Sequence, residues 1–127
     1  MHEISVEYTF AAGHALRGYK GKCEHVHGHN YKVQVTVAGE KLDDAGLLID
    51  FVELRSALQA VTEPFDHRML NDLPPFDQLS PSAENMAKYF GEVLEARLQG
   101  KGARVQAVTV WETETSSATY RPATSPR

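Results

Sequence analysis

Four of the six histidines, His14, His25, His27 and His29, fall within sixteen residues. His27 and His29 open a run in which Tyr31, Val33, Val35 and Val37 alternate with Lys32, Gln34 and Thr36. That alternation has the period of a strand, so both imidazoles leave the face that carries the apolar side chains. Imidazoles entering a semi-apolar interior need partners, because unpaired buried polar groups are costly. One reading is a set of hydrogen-bonded core or surface histidines. The other is a zinc ion that takes their neutral nitrogens. His14 is expected just past the end of an earlier strand, and a hairpin would bring it to the start of the second. His14, His27 and His29 then converge, and the fourth zinc position stays open for water or substrate, as in catalytic sites. His25 has the same parity but reads as part of the preceding loop, so it ranks behind the other three.

Cys23 is the single cysteine. A lone thiol is often a small buried hydrophobe. This one follows Lys20 and Lys22, and nearby positive charge favours the thiolate, which makes it a candidate base or nucleophile. Asp66-His67 could act as a proton relay if folding brings it to Cys23, the carboxylate fixing the imidazole tautomer. Glu112 follows Val108, Val110 and Trp111. It reads either as a solvated strand end or as an anchor that accepts two N–H bonds from a flat heterocycle.

These residues need elements to hold them. Residues 3–11 alternate, with Ile4, Val6, Tyr8 and Phe10 on one side, and predict a half-buried strand. A second strand covers residues 27–39. Asp50 caps a helix, with Glu53 at the capping-box position and Phe51, Leu54, Leu58 and Val61 at helical spacing. Pro64 ends it, and residues 64–79 read as a structured loop. Ser80-Pro81 begins a second helix that stops at Gly100 and Gly102. Strands follow over residues 104–112 and 118–120. The order ββααββ predicts an α+β domain over residues 1–121, with a four-stranded antiparallel sheet and both helices on one face. Residues 122–127 are expected to be a disordered tail. Four strands leave two open edges, which soluble proteins cover or pair, so a homo-oligomer that joins sheets across subunits is expected.

The chain has 127 residues, 42% of them apolar, which fits one domain. A net charge of -4 argues against a nucleic-acid partner, which would require a basic surface. No run approaches the roughly 20 apolar residues that span a bilayer, so no membrane partner is expected. Met1-His2-Glu3-Ile4 leads into no basic-then-apolar leader. One cysteine excludes a disulfide within the chain, and the expected location is the cytoplasm.

Several motifs together resemble the family of 6-pyruvoyl-tetrahydropterin and 6-carboxy-tetrahydropterin synthases. They are Phe10-Ala11-Ala12-Gly13-His14, Cys23-x-x-x-His27-Gly28-His29-Asn30-Tyr31, Ile49-Asp50-Phe51, Phe65-Asp66-His67-Arg68-Met69-Leu70-Asn71, Pro81-Ser82-Ala83-Glu84-Asn85 and Trp111-Glu112-Thr113. The likeness runs from about residue 4 to residue 121. It implies the tunnelling fold, in which trimers join their sheets into a barrel and two trimers stack as a hexamer. It implies zinc on His14, His27 and His29, Cys23 as catalytic base, and Asp66 and His67 as its proton-transfer partners. It implies Glu112 as the anchor of a pterin substrate, with Thr113 nearby. The three-residue gap between Cys23 and His27 resembles the carboxy-forming branch, which takes 7,8-dihydroneopterin triphosphate towards queuosine. Glu24 departs from that pattern. Glu24-x-x-His27-Gly28-His29 resembles a branch that releases 6-hydroxymethyl-7,8-dihydropterin for folate, so a folate-type or dual activity through Glu24 is the alternative. A pyruvoyl-forming enzyme ranks lower, as does a non-catalytic zinc- or pterin-binding module. The joint presence of Cys23, Asp66, His67 and Glu112 argues against the module.

Overall fold

The computed structural model describes residues 1–16 and 27–123. Two 13-residue strands, β1 (His2–His14) and β2 (His27–Gly39), pair antiparallel along their whole length. The pairing runs from His2 opposite Gly39 to His14 opposite His27. Helix α1 (Phe51–Thr62), strand β3 (Arg68–Met69), helix α2 (Ala83–Arg97) and strands β4 (Arg104–Thr113) and β5 (Ser116–Tyr120) follow. The sheet order is β3-β1-β2-β4-β5.

Alternation decides which side of this sheet is dry. Val6, Phe10, Ala12 and His14 of β1 are buried, as are Tyr31, Val33, Val35 and Val37 of β2, while Glu3, Ser5, Glu7 and Thr9 are exposed. Val108 and Val110 extend the same face across β4. Leu54, Leu58 and Val61 of α1 and Met86, Phe90 and Leu94 of α2 complete one contiguous core cluster. Each such side chain is worth about 1.5–3 kcal/mol when removed from water. Phe10 sits at the middle of the cluster, stacked on Tyr31 at 5.5 Å between ring centroids and edge-on to Phe90 at 6.0 Å.

The helices begin where short polar side chains can take up free amides. The Asp50 carboxylate accepts from the Val52 amide at 2.8 Å. Glu53 does not close the expected capping box and instead pairs with Lys101 at 3.4 Å. Helix α2 starts two residues later than expected. Ser82, not Ser80, is its cap, accepting from the Asn85 amide at 3.1 Å. Pro81 therefore lies ahead of the cap, and its carbonyl is left free of the helix.

The expected four-stranded antiparallel sheet needs correction. A fifth strand, Arg68–Met69, pairs in parallel with Ala12 and Gly13 at the edge of β1. Two residues are too few to show a period, so the sequence alone shows only a loop there. His14 is also the last residue of β1 rather than lying beyond it. Among the described residues no helix is long and apolar enough to cross a membrane, which says nothing of a β-barrel.

Candidate metal centre

Full-length pairing of β1 with β2 puts His14 directly opposite His27, and His29 follows on the same face two residues along. The rings stand nearly at right angles to one another, with centroids 4.5 Å apart for His14–His27, 5.0 Å for His14–His29 and 4.7 Å for His27–His29. Their nitrogens point at one spot: His14 Nε2 lies 3.0 Å from His27 Nε2. A Glu112 oxygen joins them, 3.1 Å from His14 Nε2 and 3.7 Å from His29 Nε2. One ligand atom from each of the four residues falls within 4.8 Å of the rest.

The surroundings of His14 fix its tautomer. His14 is fully buried, and its Nδ1 is 2.9 Å from the Pro81 carbonyl oxygen. A carbonyl only accepts, so Nδ1 carries the hydrogen and donates it. The Tyr31 hydroxyl lies 2.9 Å from the same nitrogen. Nε2 is left with a lone pair aimed at His27 and Glu112. A lone pair facing a carboxylate oxygen at 3.1 Å calls for a metal ion or a proton between them. His29 Nε2 is buried and makes no hydrogen bond, which leaves a second nitrogen wanting an electron-pair acceptor.

These observations fit zinc. Zn–N distances of about 2.0–2.1 Å in a tetrahedral site place two donors about 3.3–3.4 Å apart, and the observed separations straddle that value. The outer nitrogen of a ligating histidine normally meets a carbonyl or carboxylate, the place Pro81 takes here. Burial holds the pKa of His14 and His29 below the ordinary histidine value, against the pull of the Pro81 carbonyl on His14 and of Glu112 on both. Lowered values keep both rings neutral, the form that binds a metal.

The segment after α1 is clipped onto β1 beside this cluster. Asp66 accepts from the Ala11 amide at 3.0 Å, and the His67 amide donates to the Ala11 carbonyl at 2.6 Å. Asn71 accepts from the Ala15 amide and donates to the Ala15 carbonyl, both at 2.9 Å, closing a two-bond clamp on the residue after His14. His67 has φ 59°, a left-handed conformation that costs a non-glycine residue about 1–3 kcal/mol and persists only where the surroundings impose it. Its ring is 80% exposed, with Nδ1 2.9 Å from Asp66, and it lines an open groove shared with His29, Asn30, Arg68 and Met69. His67 and one member of the cluster thus face a common space.

Glu112 owes its position to a β-bulge. Trp111 pairs with Ser117 and Thr113 with Ser116, so Glu112 has no opposite number on β5. Alternation keeps it on the face of Val108 and Val110, and bulges commonly re-aim a side chain beside a site. Thr113 is exposed at the end of β4, its hydroxyl 3.3 Å from the Thr115 amide in the turn to β5. Cys23, Glu24 and His25 lie outside the described residues. An added Cβ on Gly28 would meet only the Ala12 carbonyl, at 3.7 Å, so packing within the described chain does not require glycine there.

Sequence reading placed the three histidines together but not Glu112 with them. The parity of Glu112 with Val108 and Val110 carried that signal. Nothing in the sequence pointed to the Pro81 carbonyl, and Asn71 stood in a recognised motif without a role.

A mixed sheet with paired helices on one face thus carries a histidine–glutamate cluster at one end of its longest hairpin. The family model of 6-pyruvoyl tetrahydropterin synthase matches residues 3–123, and the chain belongs to that enzyme family. A Bacillus subtilis relative, 6-carboxy-5,6,7,8-tetrahydropterin synthase, is 38% identical over 94% of this chain and 85% of its own. An Aquifex aeolicus relative of the same name is 31% identical, over 94% of this chain and 97% of its own. The structure of Caenorhabditis elegans 6-pyruvoyl tetrahydropterin synthase superposes with a TM-score of 0.82 at 29% identity, covering 97% of this chain and 98% of that one.

Proposed function

We propose that this chain is a zinc-dependent 6-carboxy-5,6,7,8-tetrahydropterin synthase. It would convert 7,8-dihydroneopterin triphosphate and water to 6-carboxytetrahydropterin, acetaldehyde and triphosphate, a carbon–carbon lyase step towards queuosine. The observation that carries the reading is the convergence of the His14, His27 and His29 nitrogens in a family of pterin enzymes. The relatives from Bacillus subtilis and Aquifex aeolicus favour the carboxy-forming branch.

His14, His27 and His29 hold the metal. When bound, zinc supplies a Lewis acid for the side-chain hydroxyls of the substrate, favouring their deprotonated forms. Cys23 is the base that removes a proton from the substrate side chain. Asp66 accepts from the Ala11 amide and sits 2.9 Å from His67 Nδ1, which leaves the exposed Nε2 of His67 to exchange protons in the groove. Glu112 accepts N–H bonds from the pterin ring, with Thr113 beside it. The working unit is a single catalytic domain over residues 1–121, assembled as a cytoplasmic hexamer in which joined sheets form a barrel.

Incubation with 7,8-dihydroneopterin triphosphate and product identification by mass tests the assignment. Acetaldehyde with 6-carboxytetrahydropterin is expected, and Cys23→Ala should abolish both while leaving bound zinc in place. Glu24, three residues before His27, supports a second reading. If 6-hydroxymethyl-7,8-dihydropterin were the only product, the folate-type activity would replace the carboxy assignment.

A further inference from the structure

We propose that Glu112 is the fourth ligand of the metal while substrate is absent, and that it gives up that place when substrate enters. The inference rests on the metal-binding reading and adds to it a second job for a carboxylate otherwise assigned only to the pterin ring.

Three observations carry it. A Glu112 oxygen stands 3.1 Å from His14 Nε2 and 3.7 Å from His29 Nε2, the spacing of co-ligands rather than of a residue waiting in the groove. His14 Nε2 holds a lone pair, because its Nδ1–H is committed to Pro81. In the neutral ring that nitrogen has no hydrogen to offer the carboxylate, and a metal ion reconciles the donors of all four residues, which fall within 4.8 Å of one another. The bulge leaves Glu112 unpaired with β5, and its side chain keeps 25% of its surface in contact with solvent. A carboxylate held on a bulge and partly exposed can rotate away. One negative ligand with three neutral imidazoles leaves the site a net charge of about +1, which attracts an anionic substrate and weakens the hold on the carboxylate once substrate oxygens compete.

The test uses the full chain and the variant Glu112→Gln, which keeps the shape and removes the charge. Zinc affinity is read by competition with a chromophoric chelator. The visible spectrum of the cobalt(II)-loaded protein is read with and without azide. Glu112→Gln should bind zinc at least about tenfold more weakly, since even partners one shell out from a metal are worth 10–100-fold. Its cobalt spectrum should respond to azide at concentrations that leave the unmodified protein unchanged, because only the variant has an open position. Equal zinc affinity, or an equal azide response from both proteins, would overturn the role of Glu112 while leaving the three-histidine site standing. Failure of the unmodified protein to bind either metal would overturn the metal reading itself. Thermal unfolding of both proteins in chelator separates loss of a ligand from loss of the fold: a variant that unfolds before metal is added is replaced by Glu112→Asp, whose shorter carboxylate should also bind zinc at least about tenfold more weakly, and unchanged affinity would overturn the proposal.

Discussion

Replacing His29 with leucine should stabilise the metal-free protein and destabilise the metal-loaded one. In the metal-free state His29 Nε2 is buried without a hydrogen bond and lies 3.7 Å from a carboxylate oxygen. A buried unsatisfied polar atom costs about 1–3 kcal/mol, and an apolar side chain of similar volume removes that cost. For a chain of this length 1 kcal/mol moves the midpoint by about 4 °C, so His29→Leu should unfold roughly 4–12 °C higher than the parent in chelator. Zinc reverses the order. At free metal one hundred times its dissociation constant the parent gains about 2.7 kcal/mol, or roughly 10 °C, and the variant, short of one ligand, gains little. The assay is calorimetry of both proteins at one protein concentration, with chelator and with excess zinc. The refuting result is a variant less stable than the parent in chelator that nonetheless shows the same zinc-induced rise. Such a result would mean that the nitrogen has a partner in the native protein and that the metal does not use it.

Other consequences follow from the supports of the site. Asn71→Ala removes two hydrogen bonds to Ala15, so stability should drop by about 1–3 kcal/mol in denaturant titration, and zinc affinity should fall because the chain beyond His14 is loosened. Ser82→Ala should cost about 1 kcal/mol through loss of the α2 cap, read in the same titration, with weaker zinc binding because the Pro81 carbonyl precedes that cap. Burial lowers the pKa of His14 and His29, so between the ordinary value of about 6.5 and their lowered values the unfolded chain binds more protons than the folded one. The stability of the metal-free protein should then be complete above about pH 6.5 and decline as the pH falls through that window, and a flat profile from about pH 7.5 to 5.5 would contradict it.

Long periodic segments were legible in the sequence, because alternation over many residues averages out local exceptions. The strand 27–39 and its register of His27, His29 and Tyr31 on the buried face came directly from it. Alternation ends the first strand at residue 11, since Ala11, Ala12 and Gly13 break the polar–apolar contrast although they continue the pairing to His14. Arg68–Met69 was invisible for a different reason: its strand is set by the Ala11 amide donating to Asp66 and the His67 amide donating to the Ala11 carbonyl, far away in sequence. Ser80 and Ser82 are chemically equal caps, so the sequence alone does not fix the start of α2. The choice falls on Ser82 where the backbone also lets the Pro81 carbonyl reach His14 and Asn85 reach the Ser80 carbonyl. The bulge at Glu112 depends on the pairing of β4 with β5, which no single strand encodes.

The zinc stoichiometry of the protein and of its His27→Ala variant, measured by chelator competition on material first stripped of metal, bears most directly on the site. One zinc per chain is expected in the parent, with at least about a tenfold loss of affinity in the variant. A parent that takes up no zinc, or a variant that binds it as tightly, would mean the converging nitrogens of His14, His27 and His29 serve some other purpose.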